Sequence, residues 1–303
     1  MNLLGLHILL TYRCLYECAH CFVWGSPRQS GTLTLEQIEE ILRQARDAEV
    51  EWIYFEGGEP FLYYAVLAKG VCLAAEMGFS VGVVSNAYWA NSVADAIETL
   101  QPFADCLDDF AVSSDPYHCG DRSAERAQNA LMAAKWLGIP SGVISIAQPG
   151  CRPRSGEGEL MYRGRAVHLA AQADLHPWEQ FTECPYEDLR EPGRVHVDPF
   201  GRLHICQGLV IGNLFERALS QICAEYDPET HPICCLLLAG GPAALVRGLG
   251  LPHASAYADA CHLCYEARSW LRSRFPALLG PDQMYGVTIE DIEGSRPIAS
   301  LSR

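Results

Sequence analysis

The stretch Cys14-Leu15-Tyr16-Glu17-Cys18-Ala19-His20-Cys21 follows directly on the apolar run Leu3–Leu10. The run reads as a strand, and the cysteines as a ligand loop at its end. The loop offers three thiolates, spaced three residues and then two apart. A structural zinc site closes its shell with four ligands. A four-iron cluster held by three cysteines instead keeps one iron open, and chemistry needs such a position.

Working outward, the next apolar segment is Glu51–Glu56, with Trp52, Ile53, Tyr54 and Phe55 in unbroken order. Such a run predicts a strand buried on both faces. It leads into Gly57-Gly58-Glu59-Pro60. The two glycines let the backbone approach a ligand closely, and Glu59 supplies a carboxylate.

The cysteine loop and the Gly-Gly-Glu-Pro segment together resemble the radical S-adenosylmethionine (radical SAM) enzymes. In that family the open iron chelates the methionine part of SAM, and the second segment contacts its amino group. The resemblance implies further cofactor-binding residues. His20 and Phe22 would lie by the adenine. Ser85 and Asn86 would approach the ribose, and Ser113 and Asp115 the ribose and carboxylate. Arg122 would grip the SAM carboxylate through two parallel bonds, with Arg126 as the competing candidate. Arg163-Gly164-Arg165-Ala166 resembles a segment common after the sixth strand, with no residue-level role assigned.

Strand-like and helix-like segments alternate through residue 165. Thr34–Asp47 predicts a helix with a Thr34/Gln37 capping box and an apolar face of Leu35, Ile38, Ile41, Leu42 and Ala45. Helices are also expected over 61–77, 90–100 and 123–137. Strands are expected over 81–85, 110–113 and 143–147, with a sixth at Leu160–Tyr162. Repeated β-then-α units argue for a parallel sheet with helical crossovers. Six units are too few for a closed eight-stranded barrel, so the expected fold is α/β, a partial (β/α)6 barrel. Ligands of such sheets bind beyond the C-terminal strand ends, where both motifs fall. Residues 148–159 read as a loop. Arg194–Val197 and Arg202–Cys206 flank Asp198-Pro199-Phe200-Gly201 and read as a β-hairpin.

A chain of 303 residues, 49% hydrophobic, is long enough for one large domain or a large one and a small one. A formal net charge of −15 argues against a broad nucleic-acid surface. No stretch of 18 apolar residues predicts a membrane span, and Met1 leads into a strand without a secretory signal. The expectation is a cytoplasmic protein. Its 14 cysteines then point to metal binding or chemistry and away from a disulfide scaffold.

Beyond the first loop, Cys184, Cys206, Cys261 and Cys264 form a second set. Four thiolates, two at C-x-x-C spacing, can close around zinc or an iron–sulfur cube. Their order resembles the twitch domain, the shorter form of the SPASM extension of radical SAM enzymes. That implies an auxiliary [4Fe–4S] cluster beside the SAM-binding [4Fe–4S] cluster of Cys14, Cys18 and Cys21. Structural zinc is the rival, as is a set in which Cys223, Cys234 or Cys235 replaces one ligand. Cys72, Cys106, Cys119 and Cys151 read mainly as small apolar side chains. The expected division is a core over 1–172, a small α+β twitch-like domain over 173–270, and an extension over 271–303 that is poorly ordered at its end.

The resemblance implies reductive cleavage of SAM to a 5′-deoxyadenosyl radical, hydrogen abstraction from a substrate, and an oxidative outcome with the auxiliary cluster as electron relay. The expected substrate is a peptide or protein. The alternatives are dehydrogenation of a small molecule such as an aminosugar, a non-catalytic zinc or iron–sulfur protein, and a thiol oxidoreductase at Cys261/Cys264. The expected partners are a flavodoxin or ferredoxin-type electron donor and a separate peptide-recognition protein, since no leader-gripping domain precedes the first strand. Tyr117, His118, Cys119 and Cys151 are the acid/base candidates.

Overall fold

The computed structural model describes residues 1–118, 123–288 and 291. Cys119, Arg122 and the end of the C-terminal extension lie outside the described residues.

Alternation along β1 (Leu3–Thr11) sets the two faces of the sheet. Leu6, Ile8 and Leu10 are fully buried on the helix side. They pack with Ile38, Ile41, Leu42 and Ala45 of α1 (Leu35–Asp47). The capping box of α1 is present: Gln37 N–H donates to Thr34 Oγ1 at 3.2 Å, and Thr34 N–H to Gln37 Oε1 at 2.9 Å. Such a cap stabilises a helix start by about 1 kcal/mol.

On β2 (Trp52–Gly57), Ile53 and Phe55 enter the same core. Trp52, Tyr54 and Glu56 occupy the opposite face and are only half-buried. The strand is therefore not buried on both faces, because that side lines the interior of an unclosed barrel. Space for its rings comes from glycines on the neighbouring strands. A Cβ on Gly5 would lie 2.0 Å from the Trp52 ring, and one on Gly82 2.3 Å from the Tyr54 ring.

The βα pattern continues through α2 (Tyr64–Glu76), β3 (Ser80–Ser85), α3 (Val93–Leu100), β4 (Asp109–Ser113), α4 (Ser123–Leu137) and β5 (Ser141–Ile144). The thiol sulfurs of Cys72 on α2 and Cys106, just before β4, lie 2.8 Å apart. Leu160–Tyr162 forms no strand. Tyr162 N–H is taken by Asp259 Oδ2 at 3.0 Å instead of by β5. Beyond a two-residue β6 (His176–Pro177), β7 (Gly193–Val197) becomes the sixth parallel strand, and it pairs with the free side of β1.

The hairpin is present, with β7 antiparallel to β8 (Arg202–Cys206) and β8 to β9 (Leu209–Asn213). Together they give one sheet in the order β5-β4-β3-β2-β1-β7-β8-β9. The rest of the second half contains α5 (Leu219–Glu225), α6 (Cys234–Leu249), β10 (Ala256–Tyr257), which pairs with β6, and α7 (Ala260–Leu271). Ile205, Leu209, Leu237, Leu245, Leu263 and Leu271 form its core.

Residues 279–285, which the family resemblance leaves unexplained, are packed in. Leu279 joins that second core and Met284 covers Leu9. The Tyr285 ring stacks on Tyr265 at 5.4 Å. Among the described residues, no helix is long and apolar enough to cross a membrane.

Candidate active site

Cys14, Cys18 and Cys21 line one cavity of about 130 Å³ beyond the C-terminal end of β1. His20, Phe22, Gly57, Gly58, Glu59, Ser85, Asn86 and Ser113 share its wall, as do Tyr16, Glu56 and His118. Close backbone approach builds it. Gly58 N–H donates to Thr11 O at 2.6 Å, and a Cβ on Gly58 would sit 2.1 Å from Arg13 O. Arg165 braces the cysteine loop from outside. Its guanidinium donates to Cys18 O at 2.8 Å and Gly25 O at 2.9 Å, and its backbone N–H to Cys21 O at 2.9 Å.

Three donors point at sulfur: Tyr16 N–H at 3.3 Å and Asn86 Nδ2 at 3.5 Å on Cys14, and Gly25 N–H at 3.2 Å on Cys21. Burial nevertheless pushes the Cys14 thiol up to about 12. Donors arranged for a thiolate, at a sulfur that is a poor thiolate alone, fit a site completed by a cationic centre, since coordination deprotonates a thiol outright. The residues therefore fit an iron–sulfur cluster.

Glu59 is fully buried, and its carboxylate accepts from Ser85 Oγ (2.9 Å), Asn86 N–H (2.8 Å) and Phe61 N–H (3.1 Å). Burial outweighs these donors and pushes the carboxyl up to about 7. Ser85 and Asn86 thus act on Glu59 and Cys14, while Pro60 starts the turn Pro60–Tyr63 behind them. Asp115 does not line the cavity. It faces His118 Nδ1 at 2.8 Å and His20 Nε2 at 3.5 Å. Burial pushes the His20 imidazole down to about 4, and its ring stacks on Tyr117 at 4.5 Å. Arg126 donates to Tyr16 Oη at 3.3 Å and Asn91 Oδ1 at 3.1 Å, and its buried Nε has no partner among the described residues.

A second cavity, of about 20 Å³, is lined by Cys184, Cys206, Cys261 and Cys264 together with Arg163 and Arg268. Cys223, Cys234 and Cys235 are not on its wall. Arg163 Nη1 lies 3.4 Å from Cys206 Sγ and 3.1 Å from Glu187 Oε1. Arg268 is 1% exposed and, among the described residues, donates only to the carbonyl oxygens of Gln207 and Cys264. No carboxylate pairs with it among the described residues. A buried guanidinium without a counter-anion is costly. Four cysteines facing it fit an anionic, metal-bound set, because burial otherwise raises the Cys261 and Cys264 thiols. The two cavities adjoin: Phe22 lines the first, and the Arg163 guanidinium lies 5.8 Å from its ring centroid.

Glu56, absent from the sequence reading, also lies on the first cavity's wall and touches His7 and His196. Burial raises its carboxyl, but the two histidines together hold it well below the usual range. The three residues are far apart in the chain. Their signal was a polar side chain inside each of three apolar strands.

Residues 8–150 match the model of the Radical SAM superfamily, and this part of the chain is a radical SAM domain. The family implies a [4Fe–4S] cluster and SAM as cofactors. Among curated proteins, the chain is 28% identical over 127 residues to the putative peptide biosynthesis protein YydG of Bacillus subtilis (strain 168), covering 41% of this chain and 40% of that protein. It is 27% identical over 172 residues to the PqqA peptide cyclase of Streptomyces rochei, covering 50% and 43%. It is 31% identical over 115 residues to the S-adenosylmethionine-dependent nucleotide dehydratase RSAD2 of Siniperca chuatsi, covering 35% and 29%. The matches thus span less than half the length of these relatives. Among solved structures, Streptococcus suis SuiB bound to precursor peptide SuiA aligns with a TM-score of 0.47 and 14% identity, over 86% of this chain and 76% of that one.

Proposed function

We propose that the chain is a cytoplasmic radical SAM enzyme that oxidatively modifies a peptide or protein. Cys14, Cys18 and Cys21 hold the SAM-binding [4Fe–4S] cluster. Cys184, Cys206, Cys261 and Cys264 hold an auxiliary one, in a twitch-like segment over 173–270 that also contributes β7, the sixth parallel strand, to the sheet of the core over 1–172. The observation that carries this reading is the proximity of the two linings: the Arg163 guanidinium of the second cavity lies 5.8 Å from the Phe22 ring centroid of the first.

When bound, the first cluster and SAM supply a 5′-deoxyadenosyl radical, and the second supplies a one-electron acceptor. The chain's residues do the rest. Glu59, aimed by Ser85 and Asn86, accepts from the amino group of SAM. Phe22, His20 and Ser113 border the rest of the ligand, and Arg126 stands beside Tyr16 as a candidate grip for its carboxylate. The peptide reading is supported by what YydG and the PqqA cyclase are named for. A flavodoxin or ferredoxin-type donor and a separate peptide-recognition protein complete the proposal.

The test is anaerobic reconstitution with iron and sulfide, followed by SAM and a strong reductant, with 5′-deoxyadenosine quantified by chromatography. We expect about eight irons per chain for two cubes and 5′-deoxyadenosine from the wild type. The variant with Cys14→Ala, Cys18→Ala and Cys21→Ala should keep about half the iron and form none. Failure of the loaded wild type both to bind and to cleave SAM overturns the reading.

A further inference from the structure

We propose that His7, Glu56 and His196 form a binding site for a divalent transition metal in the barrel interior, separate from both cysteine sites. It goes beyond the radical SAM reading and does not depend on it.

Strand register assembles the three residues. His7 of β1 lies directly opposite His196 of β7, and Glu56 of β2 lies opposite Leu9, one step along the same face of the sheet. His7 Nδ1 is 3.0 Å from Glu56 Oε1, and His196 Nε2 is 3.1 Å from the same oxygen. One atom from each residue falls within 4.8 Å of the other two. Metal bonds of about 2.1 Å at right to tetrahedral angles place neighbouring ligand atoms about 3.0–3.4 Å apart. Two of the three observed separations, 3.0 and 3.1 Å, fall in that range, and the third lies within 4.8 Å.

The imidazoles are held in place. The His7 ring stacks on Tyr54 at 5.2 Å and meets the edge of Trp52 at 5.4 Å. His196 packs between His7, at 4.8 Å, and Phe22, at 6.1 Å. An entry path exists as well. His7 lines a cavity of about 560 Å³ with Trp52, Tyr54, Ser80 and Arg194. Ser80 and Arg194 stand at the starts of their strands, so this cavity opens at the end of the barrel away from the cysteine loop. Glu56 lines the SAM-side cavity, so the site lies between the two.

The donor set selects the ligand class. Two imidazole nitrogens and one carboxylate oxygen suit zinc, ferrous iron and their neighbours, whereas magnesium and calcium favour oxygen throughout. With no thiolate in the set, it differs chemically from the iron–sulfur sites.

Zinc is the probe. Holoenzyme reconstituted with iron and sulfide is dialysed against micromolar zinc chloride, and both metals are counted by mass spectrometry. One zinc per chain is expected in the wild type at unchanged iron, with loss of that zinc in Glu56→Gln and in His196→Asn, also at unchanged iron. No zinc, or equal zinc in wild type and variants, overturns the site and leaves a hydrogen-bonded His–Glu–His cluster. Should the variants lose iron and so report on folding, zinc-edge X-ray absorption of the wild type decides. A nitrogen/oxygen shell at about 2.0–2.1 Å that persists in Asp115→Asn, which disables the other group of His20, Asp115 and His118, upholds the triad; loss of that shell in Asp115→Asn, or a sulfur shell at about 2.3 Å, refutes it.

Discussion

Arg163 donates through one guanidinium nitrogen to Cys206 Sγ at 3.4 Å and to Glu187 at 3.1 Å. A cation beside a cluster ligand stabilises the reduced, more negative state. Arg163→Met should therefore lower the potential of the proposed auxiliary cluster. A charged contact of about 1.5–3 kcal/mol corresponds to a drop of about 65–130 mV for a one-electron couple. An EPR-monitored redox titration should show this shift with the SAM-site cluster unmoved. An unchanged auxiliary potential would mean that no cluster sits beside Arg163.

In the proposed SAM site, Glu59 should link SAM affinity to pH. Burial lifts its carboxyl to about 7, above the ordinary carboxylate range. An ammonium group binds the ionised form, so affinity should be full above pH 7 and fall about tenfold per unit below it. Equilibrium dialysis with labelled SAM between pH 6 and 8 measures this. Glu59→Gln should bind SAM weakly with a flat profile, and a wild-type profile equally flat would contradict the assignment.

Arg165 restrains the cysteine loop through the carbonyls of Cys18 and Gly25. Hydrogen bonds from a charged donor contribute about 1.5–3 kcal/mol each, so losing these two in Arg165→Ala should destabilise the protein by about 3–6 kcal/mol. The loss should fall on one site, with iron dropping from about eight per chain towards about four. Urea unfolding and iron analysis together check it; full iron with unchanged stability would show that the loop holds itself.

Cys72 and Cys106 lie sulfur to sulfur at 2.8 Å and are free thiols. Burial, with Cys72 alongside, pushes the Cys106 thiol up to about 12, so oxidation should be slow at neutral pH and accelerate as pH rises. Once formed, a disulfide closing residues 72–106 should stabilise the fold by about 3–4 kcal/mol. Peptide mapping after diamide treatment would detect the cross-link, and Cys72→Ser should abolish both it and the stability gain.

What could be read from the sequence was local. The loop Cys14–Cys21, the segment Gly57–Pro60 and the Thr34/Gln37 cap each occupy a few consecutive residues, and the turn at Asp198–Gly201 announces its hairpin. The sixth parallel strand was misplaced because Leu160-Met161-Tyr162 has a strand's composition, while Asp259, almost a hundred residues on, takes the Tyr162 N–H. The interior cluster of His7, Glu56 and His196 depends on the register of three strands, which no local spacing encodes. Asp115 was legible as a polar strand-end residue, but its turn towards His20 and His118 depends on how the two loops meet.

The central place of β1 bears on how the protein is made. This strand precedes every other strand of the sheet in the chain, yet it is bonded on one side to β2 and on the other to β7. Its second partner is complete only at Val197. At translation rates of about 5–20 residues per second, one edge of the sheet's middle strand waits roughly ten seconds or more for that partner. Both cysteine sites share this delay, because Arg163 and Arg165, which reach them, precede β7 by only some thirty residues. Completion of both cysteine sites is thereby placed close to the moment at which β7 closes on β1.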